Sequence, residues 1–227
     1  QSFRPDYEEL SKLKYFFPTS NIVGFTATAD KTTKQDILDK IYEGSATIYS
    51  KGFDRPNLSL SVLLKKDWKS QLLNILESRK NLSGIIYCLS RSKTEEVSDL
   101  LNKKGFNTDA YHAGLDSVIR KNIQNKFMTE RGHVIVATIA FGMGIDKPDI
   151  RYVIHLNMPN SMESYYQEIG RAGRDGNPAD TILMYGLDDL YVRRNMIEKD
   201  EASDAFKLKE NKRLDYLIAY CETPECR

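Results

Sequence analysis

Four short apolar runs, separated by segments of helical length, constrain this chain more than any other feature. They are Gly84-Ile85-Ile86-Tyr87-Cys88-Leu89, Val134-Ile135-Val136-Ala137, Tyr152-Val153-Ile154-His155-Leu156 and Thr181-Ile182-Leu183-Met184-Tyr185. Each is too short for a buried helix and apolar on both sides of the period-2 pattern, so each reads as a strand buried on both faces. Residues 58–64 alternate as a strand, and residues 108–111 supply another. Between these runs the apolar period becomes helical, at 68–76, about 92–104, 117–128, 162–169 and 188–198. Ser92-Lys93-Thr94-Glu95 reads as a capping box, and Gly105 as the stop of that helix. Strands and helices in this alternation predict an α/β fold, a parallel sheet covered on both faces.

The flanks are less regular. Residues 6–17 carry apolar side chains at helical spacing and end at Pro18. Residues 22–28 and 48–49 read as strands, with Asp30 or Thr32 capping a helix to residue 41. Gly52-Phe53-Asp54-Arg55-Pro56-Asn57 is loop chemistry and the best domain boundary. Residues 198–212 are rich in charge and read as a solvated connection or exposed helix start, before a helix at 214–220.

Composition excludes several classes. No apolar run approaches the length of a membrane span, and no signal-peptide pattern is present. Three cysteines argue against a disulfide scaffold and for a reducing compartment. A net charge of +1 gives no global basic field, so nucleic-acid binding has to come from a local groove. The chain begins at Gln1 and stops at Cys226-Arg227 without a polar tail, which reads as a piece of a longer protein.

In open parallel sheets ligands gather at the carboxyl ends of strands. Thr26-Ala27-Thr28, Ser90-Arg91-Ser92, His112-Ala113-Gly114 and Thr138 followed by Phe141-Gly142-Met143-Gly144-Ile145-Asp146-Lys147 all fall at such ends. Singly, each has a plain reading: helix caps, a packed histidine, a tight turn. Together they make a groove of hydroxyls, backbone N–H groups and cations, suited to a sugar-phosphate backbone and reading no bases.

The densest stretch is Gln167-Glu168-Ile169-Gly170-Arg171-Ala172-Gly173-Arg174-Asp175-Gly176. Arginine offers bidentate contact to phosphate oxygens, and glycine lets backbone approach a ligand. A Gly-terminated helix with two solvated arginines is the competing reading. The GXXG within this run resembles a KH clamp, but Asp175-Gly176-Asn177-Pro178 follows as a turn where that module needs a helix. A non-enzymatic nucleic-acid-binding module using this loop is the alternative to a motor. Gly142-Met143-Gly144 lacks the third glycine of a dinucleotide fingerprint, and no phosphate-cradling G-x-x-x-x-G-K-[ST] is present.

These motifs, in this order and spacing, resemble motifs III to VI of superfamily 2 helicases, and their wording resembles the RecQ family. Phe3-Arg4-Pro5-Asp6-Tyr7 is similar to the tail of that family's aromatic-rich loop, although Gln1 stands where a histidine is usual. The resemblance implies an ATP-dependent 3′ to 5′ DNA helicase built on two RecA-like lobes, with roles in repair and recombination. It implies the end of the first lobe at 1–52, the whole second lobe at 53–187, and the start of a zinc-binding subdomain at 188–227. Arg174 then resembles the arginine finger, with Arg171 assisting and Gln167 coupling the nucleotide and DNA sites. Gly144, Asp146, Gly170, Arg171 and Arg174 border ATP; Phe3, Arg4, Thr26, Thr28, Ser90, Arg91, His112 and Thr138 border DNA. Cys226 matches the first of four zinc cysteines, whereas Cys221 and Cys88 carry no such role. The implied cofactors are ATP with Mg2+, and Zn2+ in the longer protein. The implied partner is single-stranded or forked DNA, in the nucleoid or nucleus. The chain alone, lacking the phosphate-binding loop, is expected to be inactive.

Overall fold

The computed structural model describes residues 9–26, 31–50, 54–142 and 144–224. The chain divides into two compact units, one ending at Asp54 and the other starting at Arg55. In the first, a 3-10 turn at Glu9–Lys12 leads into the short helix α1 (Leu13–Phe16), and α2 spans Lys31–Ile41. The strands expected at 22–28 and 48–49 do not form among the described residues, where 21–26 and 45–50 are irregular. A strand needs a neighbour to take its backbone hydrogen bonds. No described segment of this unit pairs with either, and Val23, Phe25, Ile48 and Tyr49 are exposed.

The second unit is built on six parallel strands: β1 (Leu58–Leu64), β2 (Gly84–Tyr87), β3 (Asn107–Tyr111), β4 (His133–Ala137), β5 (Tyr152–His155) and β6 (Ala179–Tyr185). Their order across the sheet is β1-β6-β5-β2-β4-β3. The crossovers carry α3 (Trp68–Glu77), α4 (Arg91–Lys103), α5 (Ser117–Thr129) and α6 (Met162–Ile169), and the chain finishes with α7 (Leu187–Glu198) and α8 (Asp204–Glu222). The β4–β5 connection is a long loop instead of a helix.

Alternate strand residues feed two cores, as a two-faced pleat requires. Ile86, Val134, Val136, Tyr152, Ile154, Ile182 and Met184 pack with Leu72 and Leu76 of α3 and Val97 and Leu101 of α4. Ile85, Tyr87, Ile135, Ala137, Val153 and Leu183 pack on the other face with Phe127 of α5 and Tyr165 and Ile169 of α6. Leu214, Leu217 and Cys221 of α8 join this second core. The charge-rich stretch is, from Asp204 onward, the exposed start of this helix, whose buried residues Leu214, Leu217 and Cys221 come after it. Among the described residues, no helix is long and apolar enough to cross a membrane.

Candidate functional site

Helix α6 begins at the carboxyl side of the sheet, capped by the Ser161 hydroxyl, which accepts from the Ser164 N–H. It runs back antiparallel to the strands, so its far end lies toward their amino ends. There Gly173 N–H donates to Ile150 O (2.9 Å), just ahead of β5. Arg55 Nη2 donates to the carbonyls of Ala172 and Gly173, both at 3.0 Å. Asn57 Nδ2 donates to Gly173 O and Asn177 O, both at 2.9 Å. Gly173 has φ +56°, and a Cβ there would stand 2.5 Å from Asn57 Nδ2. This turn takes a left-handed backbone and a close neighbour together, which only glycine tolerates.

The two arginines of the turn differ. Arg171 is half-buried; its Nη1 donates to Gly142 O, and its Nε is buried without a partner among the described residues. Gly142 is needed for that approach, since a Cβ there would lie 2.5 Å from Arg171 Nη2. Arg174 is about a third exposed, donating from Nη1 to Asp146 Oδ1 (2.7 Å) and Ile145 O (3.1 Å). Asp146 is 83% exposed, so that ion pair is wet and weak. Gly144 turns the loop with φ +80°, and Gly170 ends α6 in ordinary helical conformation. Gln167 is exposed one turn before Arg171. Arg151 lies 2.6 Å from Asp175 and, with the Asn177 amide, holds that carboxyl at about 2.

The carboxyl edge gathers the other motifs. Ser90, two residues before the Ser92 expected as cap, ends in extended backbone, and its hydroxyl accepts from Lys93 N–H. The expected box does not form, because Ser92 lies inside the helix and Glu95 instead meets His112, its Oε1 3.1 Å from Nε2. Arg91 is exposed and lies against Gly114, beside the buried His112. Thr138 is partly exposed; its N–H donates to Tyr111 O, and its hydroxyl accepts from Ala140 N–H at 3.4 Å. Ser90, Arg91, His112 and Thr138 thus converge at the ends of β2, β3 and β4. Arg171 and Arg174 make no hydrogen bond to these four: the turn's backbone lies toward the amino side, with Arg171 reaching back to Gly142 and Arg174 meeting Ile145 and Asp146. Thr26 is exposed in the first unit. Phe3, Arg4, Thr28 and Cys226 lie outside the described residues.

Two buried polar clusters were missed by motif reading. His155 Nε2 lies 2.6 Å from Glu168 Oε2, between β5 and α6. Its ring stacks on Tyr87 (5.1 Å between centroids, 22° between planes), whose hydroxyl donates to Phe141 O at 3.1 Å. Burial pushes the Tyr87 phenol well above its ordinary value, and the nearby Arg171 guanidinium offsets part of this, so the hydroxyl keeps its proton to donate. In the second cluster Lys65 Nζ lies 2.6 Å from the buried Asp189, which accepts from Asn157 Nδ2 (2.8 Å), while Asn157 Oδ1 accepts from Leu89 N–H (3.1 Å). The signal for the first was a histidine ending an otherwise apolar strand. The second shows nothing in sequence, since Lys65, Leu89, Asn157 and Asp189 come from four separate segments.

A family model described as helicase conserved C-terminal domain matches residues 67–176. The ATP-dependent DNA helicase RecQ of Pasteurella multocida is 42% identical over 226 residues, covering 99% of this chain and 35% of that protein. The RecQ-like DNA helicase BLM of Xenopus laevis is 44% identical over 233 residues, covering 99% of this chain and 17% of that protein. The chain therefore spans about a third or less of these curated relatives. The structure of S. cerevisiae Dbp5 bound to RNA and ADP BeF3 matches with a TM-score of 0.67 at 19% identity, over 95% of this chain and 60% of that one. At that identity the likeness is one of fold.

Proposed function

We propose that this chain, a member of the RecQ family of superfamily 2 helicases, is the second half of an ATP-driven DNA motor. Residues 1–52 end a first RecA-like lobe, 53–187 form the second lobe, and 188–227 begin a further helical subdomain. The whole protein hydrolyses ATP, moves 3′ to 5′ on single-stranded DNA and opens duplex forks without reading sequence. Opening resists with about 1.4 kcal/mol of stacking per base-pair step, so small advances suffice.

The observation that carries this reading is the state of Arg174. Its guanidinium is partly exposed at the end of α6, where it donates to Gly170 O and Ile145 O and pairs with a carboxylate that water already reaches. A phosphoryl group can displace such a partner, because exposed pairs are worth at most about 1 kcal/mol. Bound ATP supplies the γ-phosphoryl group, and Arg174 stabilises the charge spread over its oxygens. Arg171, anchored on Gly142, fixes the turn. Gln167 faces solvent beside them and links nucleotide to DNA. Ser90, Arg91, His112 and Thr138 border the DNA, a role the family resemblance also implies for Thr26, Thr28, Phe3 and Arg4.

The residues present fit one side of a nucleotide. Among the described residues there is no group of three or more histidine, cysteine or carboxylate side chains that could hold a metal. Magnesium and the phosphate cradle belong to the remainder of the first lobe. Cys221 is buried in the core, and the described residues build no zinc site, so no step here runs through zinc.

The test is Arg174→Ala in the whole protein. Nucleotide binding persists while DNA-stimulated hydrolysis falls by about 10³-fold or more; unchanged turnover refutes the assignment. The isolated chain shows no turnover at all, and ATP hydrolysis by the pure chain contradicts its reading as half a site.

A further inference from the structure

Thr138 and Asp146 bracket one loop, and that loop is gripped at its middle. Thr138 is tied to the carboxyl edge through Tyr111 O, and Asp146 meets Arg174 at the arginine turn. Between them two successive carbonyls are each held by a side chain from elsewhere in the fold. Phe141 O accepts from the Tyr87 hydroxyl at 3.1 Å, and Gly142 O accepts from Arg171. The Phe141 ring is anchored in the core edge-on to Tyr111 and Phe127, so the grip acts on a rigid point of the loop.

The grip closes on itself through α6. Tyr87 is stacked on His155, and His155 is bound to Glu168 at 2.6 Å. Glu168 precedes Arg171 by three residues on the same helix end, so both holds on the loop lead back to α6. His155, Glu168 and Tyr87 are all nearly inaccessible to solvent. A buried carboxylate–imidazole pair is costly to build and costly to break on one side, which suits a joint that must keep one geometry.

We propose that Tyr87, His155 and Glu168 are positioning residues that make the 138–146 loop and the arginine turn move as one piece, so that strain at the DNA edge reaches Arg174. This rests on the motor reading above. None of the three touches substrate in that reading; they act through Phe141, Gly142 and Arg171. Coupling needs a contiguous element biased from both ends, and this loop is the segment that joins the two surfaces covalently.

Tyr87→Phe removes the hydroxyl and leaves the stacked ring. In the whole protein, hydrolysis without DNA, KM for ATP and affinity for single-stranded DNA stay within about twofold. The stimulation of hydrolysis by DNA falls about tenfold, within the ordinary span of coupling between sites. Glu168→Gln keeps an acceptor for His155 and loses less stimulation than Tyr87→Phe. Stimulation unchanged in Tyr87→Phe overturns the proposal, as does a parallel loss of basal hydrolysis and DNA affinity, which marks a merely structural role. Absence of DNA stimulation in the unsubstituted protein sinks the motor reading itself, and this inference with it.

Discussion

The carboxyl edge and the arginine turn lie toward opposite ends of one sheet and are held together by different means. At the edge, the helix starts carry their own caps, Ser90 for α4 and Asp116 for α5, and the Thr138 hydroxyl bonds two residues on, beside longer ties such as Thr138 N–H to Tyr111 O. At the turn they are long-range, with Arg55 and Asn57 reaching residues more than a hundred positions away. The caps at the edge therefore need only their own helices to form. The turn exists only once β1, β5 and β6 are aligned. A surface that grips a repeating backbone tolerates the first design, whereas a side chain that must meet one phosphate needs the second.

Gly173→Ala strains that contrast most. It costs about 1–2 kcal/mol for a left-handed backbone and about 1–3 kcal/mol for crowding Asn57, measured by urea unfolding. A loss below half a kilocalorie, roughly the background for a neutral surface change, would mean the turn is not tied as described. Ser90→Ala is smaller, costing about 1 kcal/mol through one lost helix cap. Its effect stays within α4, and amide exchange at the arginine turn is unaltered; slackening there would break the distinction.

The smallest effect is a titration. Arg151 and Asn177 hold Asp175 at about 2, below the ordinary 3.8. A depressed carboxyl stabilises the fold fully above its ordinary value and loses that contribution as pH falls through the lower one. The Arg151–Asp175 link therefore fades between about pH 4 and pH 2. Carbon-detected NMR of the Asp175 carboxyl follows it directly, and Arg151→Ala returns the midpoint toward 3.8. A midpoint already ordinary in the unsubstituted chain would remove this tie from the turn.

This contrast also explains what could be read in advance. The buried strands and the helices between them are periodic in sequence, so the parallel sheet was legible, and Met162–Ile169 has the bounds its pattern predicts. The edge motifs were legible because local capping chemistry is written in adjacent residues. The cap of α4 was misplaced by two residues because Glu95 satisfied the box template while its carboxylate served His112. The arginines were visible, but the position of their turn on the amino side was not, since it depends on where α6 ends. Arg55, Asn57, His155 and Glu168 were missed as partners because nothing local marks a contact made across the fold. Residues 22–26 and 48–49 have strand-like composition and no described partner to pair with.

The separation of the two surfaces is tested most directly by the affinity of the whole protein for single-stranded DNA across a salt series. Unsubstituted, Arg91→Ala and Arg174→Ala proteins are compared. Arg91→Ala weakens binding irrespective of sequence and reduces the slope of log affinity against log salt by about 0.7, the signature of one lost phosphate contact. Arg174→Ala leaves both affinity and slope unchanged while it stops hydrolysis. An equal loss of DNA affinity and slope in Arg174→Ala would place that arginine on the nucleic acid and contradict the division proposed for this molecule.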